Sequence, residues 1–423
     1  MFGRHKCETL VAGAGPVGLL TAVLLRERGV EVEVVDQETG TAGHSYAALL
    51  HPYSLHLLDD AGLVNDLIAK GVRVRTIGLF DRAGAHAQMS FDGLPAEFPF
   101  GLVVPQSELE RVLERRIEEL GLRVRWSHRL EAFEMNGQVT AHVSRLESDT
   151  LGYIVQRTGR VVAGEPTFDA SFVVGADGHR SRVRRALGLE VETAGPQETY
   201  AVFEFEATGL PADEMRVVLG ERTRDVLLPM PEGRYRFSFQ LEGRELSLDD
   251  RRKSRDWYDR PESAFADPTA ELAKLVHERA PWCEGRLGKL HWAALVPFGR
   301  RLASRYGQGR GWLAGDAAHL TGPVGVQSMN VGLSEAHELA WRLSGILRHH
   351  ADSAQLAELD RRRRAEWRFL LGLEGGLESD GAETWVAGNA PRLLTCLPAT
   401  GVELDHLVGQ IGLKSRGNPS ELH

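Results

Sequence analysis

Asp316 lies in the glycine-rich stretch GDAAHLTGPVGVQSMNVG, residues 315–332. A turn-rich segment around Pro323 follows, and the residues after it are typical of the start of a long helix. A carboxylate, a tight turn and a helix N-terminus so close together indicate a ligand-binding site, because the carboxylate accepts hydrogen bonds and the helix end presents free N–H groups. The structural alternative is that Asp316 caps a helix. Val326 and Ser328 stand where a loop of this kind is expected to use glycine.

A second chemical pattern lies near the start of the chain, in residues 7–36. Gly13, Gly15 and Gly18 form a G-x-G-x-x-G motif between a short apolar strand and a helix. Asp36 closes the next strand, at about the 20-residue separation expected of an acid that binds a ribose hydroxyl group. This order predicts a βαβ dinucleotide-binding unit, and the alternative is an ordinary strand–turn–helix.

Each glycine has a separate task in such a unit. Gly13 permits the sharp turn, Gly15 lets a pyrophosphate approach the backbone, and Gly18 lets the helix pack closely on the strand. The unit alone does not distinguish FAD from NAD. The residues assigned to the nucleotide here are Gly13, Gly15, Pro16, Val17, Gly18, Asp36 and Gln37.

Two further segments repeat the pattern of a buried strand that ends in an acidic turn. Residues 172–188 read FVVGADGHRSRVRRALG, with a D-G-x-x-S-x-x-R run from Asp177 to Arg184. Residues 311–316 read GWLAGD and lead into the stretch around Asp316. With these three motifs in this order, the chain resembles the single-component FAD aromatic hydroxylases over roughly residues 8–345. These are the p-hydroxybenzoate-hydroxylase-like, group A flavoprotein monooxygenases.

The resemblance implies FAD as the bound cofactor and NAD(P)H as a co-substrate. On this basis Asp316 accepts a hydrogen bond from a ribitol hydroxyl group, since a carboxylate is a strong acceptor. The helix that begins near Gln327 points its positive end at the flavin's pyrimidine edge and favours reduction there. The further positions assigned to the cofactor are Gln106, Leu130, Asp177, Gly178, Gly315, Asp316, Pro323, Gly325, Val326, Ser328, Met329 and Asn330.

Three positions qualify this assignment. The family usually has glycine at Val326 and Ser328, and a non-glycine residue costs roughly 1–2 kcal/mol where the backbone is left-handed. We therefore expect a different turn, with a somewhat different position of the flavin ring. An arginine that contacts phosphate in the family falls at Tyr46. The phosphate contacts are then expected to rest on the glycine loop and on Gln106, whose alternative role is that of a surface residue at a helix N-terminus.

The segments between the second and third motifs have a different hydrophobic pattern from the rest of the chain. Residues 199–207 and 224–241 alternate apolar and polar side chains, which predicts an antiparallel sheet with one buried face. In the resembled family such a sheet covers the isoalloxazine ring and holds an aromatic substrate. The predicted pocket residues are Tyr46, Tyr53, Phe203, Phe205, Tyr235 and Phe237, although a core position is the alternative for each.

His51 and Pro323 are the catalytic candidates. His51 is a candidate base for deprotonating a phenol, because histidine titrates near neutral pH. Pro323 marks the turn expected to line the pocket. No obligatory general base is assigned, because the cofactor carries the difficult chemistry.

The sequence thus predicts an FAD-dependent monooxygenase that uses NAD(P)H and O2 to hydroxylate or otherwise oxygenate an aromatic or polyketide-like small molecule. The resemblance implies a flavin C4a-hydroperoxide as the oxygenating species and transient NAD(P)H binding, since only one dinucleotide motif is present. One alternative is an FAD-dependent reductase or dehydrogenase that does not activate O2. A non-catalytic binding protein on the same fold is another, and it predicts an incomplete FAD site.

Composition limits the remaining classes. The 423 residues carry a net charge of −9, which argues against nucleic acid or an anionic membrane as the main partner. The three cysteines are far apart and form no C-x-x-C pair, so neither a metal site nor a disulfide framework is expected. We expect a cytoplasmic protein without membrane spans, with a homodimer as a further expectation.

The expected fold class is α/β, with a Rossmann-like FAD-binding domain, an interleaved antiparallel-sheet substrate domain and a helical C-terminal tail. The discontinuous FAD-binding domain is predicted to comprise residues 1–75, 100–190 and 291–345. The substrate domain comprises 76–99 and 191–290, and the C-terminal helical region comprises 346–423.

Overall fold

A computed structural model describes residues 4–41, 49–151, 157–243, 265–284 and 286–419. The prediction for Tyr46 lies outside the described residues.

The strands are, in chain order, β1 (Arg4–Lys6), β2 (Thr9–Ala12), β3 (Val32–Val35), β4 (Leu49–Leu50), β5 (Val72–Val74), β6 (Thr76–Asp81), β7 (Gly84–Ser90), β8 (Gly101–Val103), β9 (Val124–Arg125), β10 (His128–Met135), β11 (Val139–Leu151), β12 (Arg157–Gly164), β13 (Thr167–Ala170), β14 (Phe172–Gly175), β15 (Val191–Thr193), β16 (Glu198–Ala207), β17 (Glu214–Leu219), β18 (Arg224–Met230), β19 (Arg234–Leu241), β20 (Leu287–Phe298), β21 (Arg301–Ala303), β22 (Gly307–Gln308), β23 (Gly311–Leu313), β24 (His319–Leu320), β25 (Gly376–Ser379) and β26 (Leu413–Arg416).

The α-helices are α1 (Pro16–Glu27), α2 (Pro52–Asp60), α3 (Val64–Ile68), α4 (Gln106–Glu119), α5 (Arg182–Ala186), α6 (Pro268–Arg279), α7 (Gln327–His349), α8 (Ala354–Leu370), α9 (Thr384–Leu393) and α10 (Gly401–Gly409). Short 3-10 turns occupy Pro231–Gly233, Pro281–Cys283, Gly315–Ala317 and Leu394–Cys396. Among the described residues, no helix combines the length and apolarity needed to cross a bilayer.

A six-stranded sheet, in the order β22-β23-β14-β2-β3-β9, forms the centre of the nucleotide-binding half. Strands β23, β14, β2, β3 and β9 are parallel, and Gly175 lies opposite both Ala12 and Leu313. Because neighbouring parallel strands end at one edge, the three acidic turns predicted from the sequence begin side by side. The Rossmann-like arrangement is confirmed.

Helix α1 covers this sheet and packs against α7. Pro16 occupies its first turn, where a missing N–H is tolerated, and the helix ends before Gly29, which has a φ of +78°. A Cβ on Gly332 of α7 would lie 2.8 Å from the Val17 side chain and 3.1 Å from the Gly315 Cα. That close packing brings the start of α1 beside the turn that contains Asp316.

A seven-stranded, largely antiparallel sheet, in the order β20-β16-β19-β18-β17-β6-β7, forms the second half. The antiparallel strands predicted in residues 199–207 and 224–241 are present as β16, β18 and β19. Strand β20 pairs with β16, so residues 287–298 belong to the second sheet, and the predicted domain boundary at residue 291 stays a prediction.

Both faces of this sheet are buried, whereas the alternation predicted one buried face. Tyr200 and Val202 belong to the main core, which also contains the Rossmann strands. Phe203 and Phe205 belong to a second core, together with side chains of α6. The sheet is therefore a wall between two cores.

The region after residue 350 is mainly helical, as predicted, but it also contains an antiparallel pair, β25 and β26, that the sequence pattern did not indicate. It is attached to the second sheet by specific contacts. The Gln410 side chain bonds both backbone groups of Ser90, at 2.8 Å each, and Trp385 stacks on His86 with ring centroids 4.1 Å apart.

Candidate cofactor site

The glycine loop after β2 is defined by close backbone packing. A Cβ on Gly13, whose φ is +106°, would lie 2.1 Å from the Ala176 carbonyl oxygen. A Cβ on Gly18 would lie 2.0 Å from the Gly13 carbonyl oxygen, so neither position accepts a side chain. By contrast, no atom lies within 4 Å of a Cβ built on Gly15, the N-cap of α1, which also makes no side-chain capping hydrogen bond. Backbone N–H groups at this helix end are therefore available for an anion.

Asp36 lies at the end of β3, beside the glycine loop. Its Oδ2 accepts a hydrogen bond from the Ala14 amide at 2.6 Å, and its Oδ1 accepts one from the Glu38 amide at 2.7 Å. A carboxylate has about four lone-pair sites, so it retains capacity for hydroxyl donors. Burial raises the pKa of Asp36. Gln37 is exposed, and its carbonyl oxygen accepts from Arg160 Nη1 at 2.5 Å.

Asp177 and Gly178 follow β14. Asp177 Oδ2 accepts from the amides of Arg182 and Val183, at 2.6 and 3.2 Å, while its Oδ1 is buried without a hydrogen-bond partner in the described part of the chain. Burial raises the pKa of this carboxyl group. Arg184 donates from Nη1 to the Ala317 carbonyl oxygen at 2.6 Å and thereby ties the second motif to the third.

Asp316 is deeply placed but open to solvent. Its neighbours Gly315 and Ala317 are buried, and enclosure by the protein raises the pKa of the carboxyl group, yet the side chain itself is exposed. A residue that is both deep and exposed lines an open cleft. Asp316 is not a helix-capping residue, since the N-cap of the 3-10 turn is Ala314 and the N-cap of α7 is Val326.

Glu335 on α7 fixes the turn that contains Asp316. This buried carboxylate accepts hydrogen bonds from the Gly315 amide at 2.8 Å, from His319 Nε2 at 2.8 Å, from the Tyr306 hydroxyl at 2.7 Å and from Trp367 Nε1 at 3.1 Å. Sequence reasoning missed Glu335, because a polar residue on a helix reads as a solvent-facing one. Its partners are 16 to 32 residues away in sequence.

The turn before α7 departs from the sequence prediction. Val326 has φ 49° and ψ 35°, a left-handed conformation, so a β-branched residue occupies a backbone position that favours glycine. The conformation is unfavourable by about 1–2 kcal/mol, and the side chain is only 8% exposed, so packing holds it in place. Ser328, within α7, accepts a hydrogen bond from the Thr321 amide at 3.0 Å, which braces the same turn.

The start of α7 is anchored to the segment before α2. Asn330 Nδ2 donates to the carbonyl oxygens of Leu49 and Val326, and its Oδ1 accepts from the His51 amide at 2.8 Å. Its side chain is thus committed to protein contacts. Met329 and Pro323 are half-buried, and Gly325 approaches the Leu397 carbonyl oxygen so closely that a Cβ would lie 2.8 Å from it.

His51 is not a residue that titrates near neutral pH. The ring is buried, with Nε2 2.9 Å from the Gly325 carbonyl oxygen, and burial lowers its pKa to about 4. Because the carbonyl accepts a hydrogen bond, Nε2 carries the proton in the neutral ring. The expectation of a histidine poised near neutrality is corrected, since the buried imidazole stays neutral and joins two segments.

Two predicted contact residues occupy structural positions. Gln106 begins α4, and its Nε2 donates to Glu110 Oε1 at 2.7 Å, one helical turn away. Leu130 is 4% exposed and lies in β10 opposite Val143. Any contact of either with FAD stays a prediction.

The predicted substrate aromatics are core residues. Phe203, Phe205 and Phe237 are fully buried and Tyr235 is 5% exposed, all in the cluster that packs on α6. They face away from the main core, so this part of the pocket prediction is corrected: residues on the opposite face, such as Tyr200, face the motifs. Tyr53 is 45% exposed on α2.

The residues present fit an elongated dinucleotide. An open glycine cradle, an uncapped helix start, the unpartnered Asp177 Oδ1 and the accessible Asp316 all lie at the carboxyl ends of adjacent strands. This is the edge at which open α/β sheets bind their ligands.

Comparison with known proteins identifies the fold. Residues 6–370 match the FAD binding domain family. The chain belongs to that family. The predicted resemblance to FAD-dependent hydroxylases and the choice of FAD as cofactor are thereby confirmed.

Curated relatives carry monooxygenase names. The chain is 29% identical over 350 residues to 6-methylpretetramide 4-monooxygenase of Streptomyces rimosus, covering 81% of this chain and 57% of the relative. It is 27% identical over 352 residues to pentachlorophenol 4-monooxygenase of Sphingobium chlorophenolicum, covering 81% of this chain and 59% of the relative. The chain therefore spans less than two thirds of the length of these relatives.

Solved structures show the same fold. A p-nitrophenol 4-monooxygenase from Pseudomonas putida DLL-E4 superposes with a TM-score of 0.69 at 21% identity, covering 95% of this chain and 91% of that one. A ternary complex of aklavinone-11 hydroxylase with FAD and aklavinone gives 0.65 at 24% identity, covering 93% and 70%.

Proposed function

We propose that this protein is an FAD-dependent monooxygenase that oxygenates an aromatic or polyketide-like small molecule, with NAD(P)H as reductant and O2 as the oxygen source. The observation that carries the proposal is the deep but open position of Asp316, beside two other strand-end turns that fit a dinucleotide. The names of two relatives, 6-methylpretetramide 4-monooxygenase and pentachlorophenol 4-monooxygenase, support the substrate class.

Bound FAD would supply the redox chemistry, taking electrons from NAD(P)H and passing an oxygen atom from O2 to the substrate. The chain's own part is to bind and orient. The start of α1 and Gly15 would hold the pyrophosphate, Asp36 a ribose hydroxyl group and Asp316 a ribitol hydroxyl group.

Helix α7 has the second electrostatic role. Its N-cap, Val326, makes no side-chain cap, so the first-turn N–H groups remain available to the edge of the flavin that becomes negative on reduction. The main-core face of the seven-stranded sheet would exclude water above the ring.

The test is purification, an absorbance spectrum and turnover with isotopically labelled O2. We expect a yellow protein whose NAD(P)H oxidation rises with substrate and whose product gains one labelled oxygen atom. A yellow protein that oxidises NAD(P)H without labelling any product would favour the rival reductase or dehydrogenase.

A matched variant separates binding from folding. Asp316→Asn keeps the shape of the side chain but removes its charge and half of its acceptor capacity. We expect weaker FAD retention at an unchanged far-ultraviolet circular dichroism spectrum. Full FAD retention in this variant, or a wild-type protein that cannot be reconstituted with FAD, would reject the site.

A further inference from the structure

The loop that follows Asp36 is contacted by a strand of another sheet. Strand β12 pairs with β11 in a five-stranded sheet that also contains β1, β10 and β13. From β12, Arg160 Nη2 lies 2.8 Å from Glu38 Oε2, and its Nη1 lies 2.5 Å from the Gln37 carbonyl oxygen. The partners are 122 and 123 residues apart in the chain, so only the tertiary fold brings Arg160 to this loop.

The turn between β9 and β10 holds the same loop through its backbone. The Ser127 amide donates to the Glu38 carbonyl oxygen at 2.6 Å, and the Leu146 amide of β11 donates to the Ser127 carbonyl oxygen at 2.7 Å. Ser127 has a φ of +58°, a conformation that a non-glycine residue keeps only where its surroundings hold it. The five-stranded sheet therefore fixes the loop both by a backbone contact and by the side chain of Arg160.

This loop orients the acid expected at the ribose. Asp36 Oδ1 accepts from the Glu38 amide at 2.7 Å, so the position of Glu38 sets one of the hydrogen bonds that direct the carboxylate. Glu38 also brings a second negative charge close by. Burial raises the pKa of Asp36, and the charge of Glu38 acts in the same direction. Arg160 supplies the opposite charge at this place.

We propose that Arg160 is a positioning residue for FAD, which holds the loop of residues 36–38 in the conformation that binds the adenosine ribose and neutralises Glu38. This rests on the proposed function, because it takes FAD to lie on the glycine loop with its ribose at Asp36. The pyrophosphate of FAD is negatively charged, so an unpaired carboxylate beside it would oppose binding. Arg160 acts through Gln37 and Glu38 and need not touch the cofactor.

The contact is suited to control retention of the cofactor, and it contributes little to the stability of the fold. The side chains of Arg160 and Glu38 are 39% and 56% exposed, and an exposed ion pair adds little to stability. Variants at either position should therefore fold like the wild-type protein. Without Arg160 the loop must be ordered when FAD binds, and that ordering weakens binding.

The experiment measures how fast FAD leaves the loaded protein, with released FAD followed by its fluorescence after dilution. Arg160→Met removes the pair and should speed release about twofold to fivefold. Arg160→Glu places two carboxylates together and should speed it about tenfold. Added salt should reduce this difference, because exposed charges are screened. A role in packing alone would not depend on salt.

A charge swap and a matched control make the outcome specific. Combining Arg160→Glu with Glu38→Arg restores an opposite-charge pair and should slow release again towards the wild-type rate. Arg145→Met, on β11 of the same sheet, removes an exposed arginine paired with Glu147 and should leave release unchanged. The inference fails if Arg160→Glu releases FAD at the wild-type rate, or if the charge swap releases it as fast as Arg160→Glu alone.

Failure of this inference and failure of the proposed function give different results. If Gly15→Ala speeds FAD release and Arg160→Glu does not, the assignment of Arg160 alone is overturned. If Gly15→Ala releases FAD at the wild-type rate, the cofactor does not lie on the glycine loop and the proposed site is wrong. A protein that needs Arg160 to retain FAD but transfers no labelled oxygen overturns the monooxygenase proposal alone.

Discussion

The two sheets of this protein differ in how far their functional positions can be recognised from the sequence. In the parallel sheet the functional positions lie at strand ends. The backbone there requires glycine at Gly13, and Asp36 lies at a fixed distance along the chain, so both can be recognised in the sequence. In the antiparallel sheet the functional positions lie on a face, and nothing within a strand says which face meets the cofactor domain. A face is defined only by what packs on it.

The polar face of the second sheet illustrates the difference. Arg236 and Ser238 alternate with aromatic residues and would be expected to face solvent, yet each is 4% exposed. Arg236 pairs with Glu204 on the neighbouring strand, with Nε 2.9 Å from Oε1. Apolar neighbours on this face, such as Val202, belong to the main core, so the face is buried, and its charges are tolerated there because they are paired.

The largest effect is expected at the glycine loop. Gly18→Ala places a methyl group 2.0 Å from backbone, so we expect loss of folded protein. In Gly15→Ala the added methyl group has no atom within 4 Å, and the φ of −74° suits alanine, so the fold should survive. The methyl group would occupy the space expected for the pyrophosphate, so FAD affinity should fall at least about tenfold. Thermal melting and FAD titration check both. Equal stability of the two variants would contradict the conclusion that Gly18 is required for packing and Gly15 is not.

The two faces of the second sheet should separate stability from binding. Phe203→Ala empties a core site and should cost about 3–5 kcal/mol in the free energy of unfolding. Tyr200→Phe removes one hydrogen bond and should cost only about 1 kcal/mol, but it should raise the substrate KM, because Tyr200 lies on the face toward the main core. Urea unfolding and steady-state kinetics measure these quantities. If the milder Phe203→Leu raised the substrate KM, the assignment of the faces would be wrong.

His51 should make stability depend on acid. Its folded pKa, about 4, lies below the ordinary value of 6.5, so the unfolded chain binds the proton more tightly. The contribution is complete above pH 6.5 and is lost as pH falls towards 4, by up to about 3 kcal/mol. Unfolding of the wild-type protein and His51→Gln across this range gives the difference. If the free energy of unfolding of the two proteins changed with pH in the same way, His51 would not be the source of the acid sensitivity.

The smallest effect is expected at Val326. Glycine is ordinarily less stable than alanine by about 0.5–1 kcal/mol, but at a φ of 49° that order should reverse. Val326→Gly should therefore be more stable than Val326→Ala, by about 1 kcal/mol in the free energy of unfolding measured with urea. If alanine proved the more stable, the left-handed turn would not exist in solution.

Much of the parallel half could be predicted from the sequence. The strands that end at Ala12, Val35 and Gly175, and the helix that starts at Gln327, were all indicated by local patterns. The hydrogen bonds of Glu335, the neutral state of His51 and the pair β25–β26 were not, because each depends on residues far away in the chain. The left-handed Val326 was missed for the opposite reason, since the local rule against it was overruled by packing.

The sequence by itself determined the cofactor class and the edge of the sheet where it belongs. Those properties follow from turns whose φ angles and free N–H groups are set by a few adjacent residues. Only the tertiary structure decided which side chains of the second sheet face the main core, and that the buried Arg236 is paired with Glu204. Burial and charge balance are sums over residues that are distant in the chain, and no local pattern contains them.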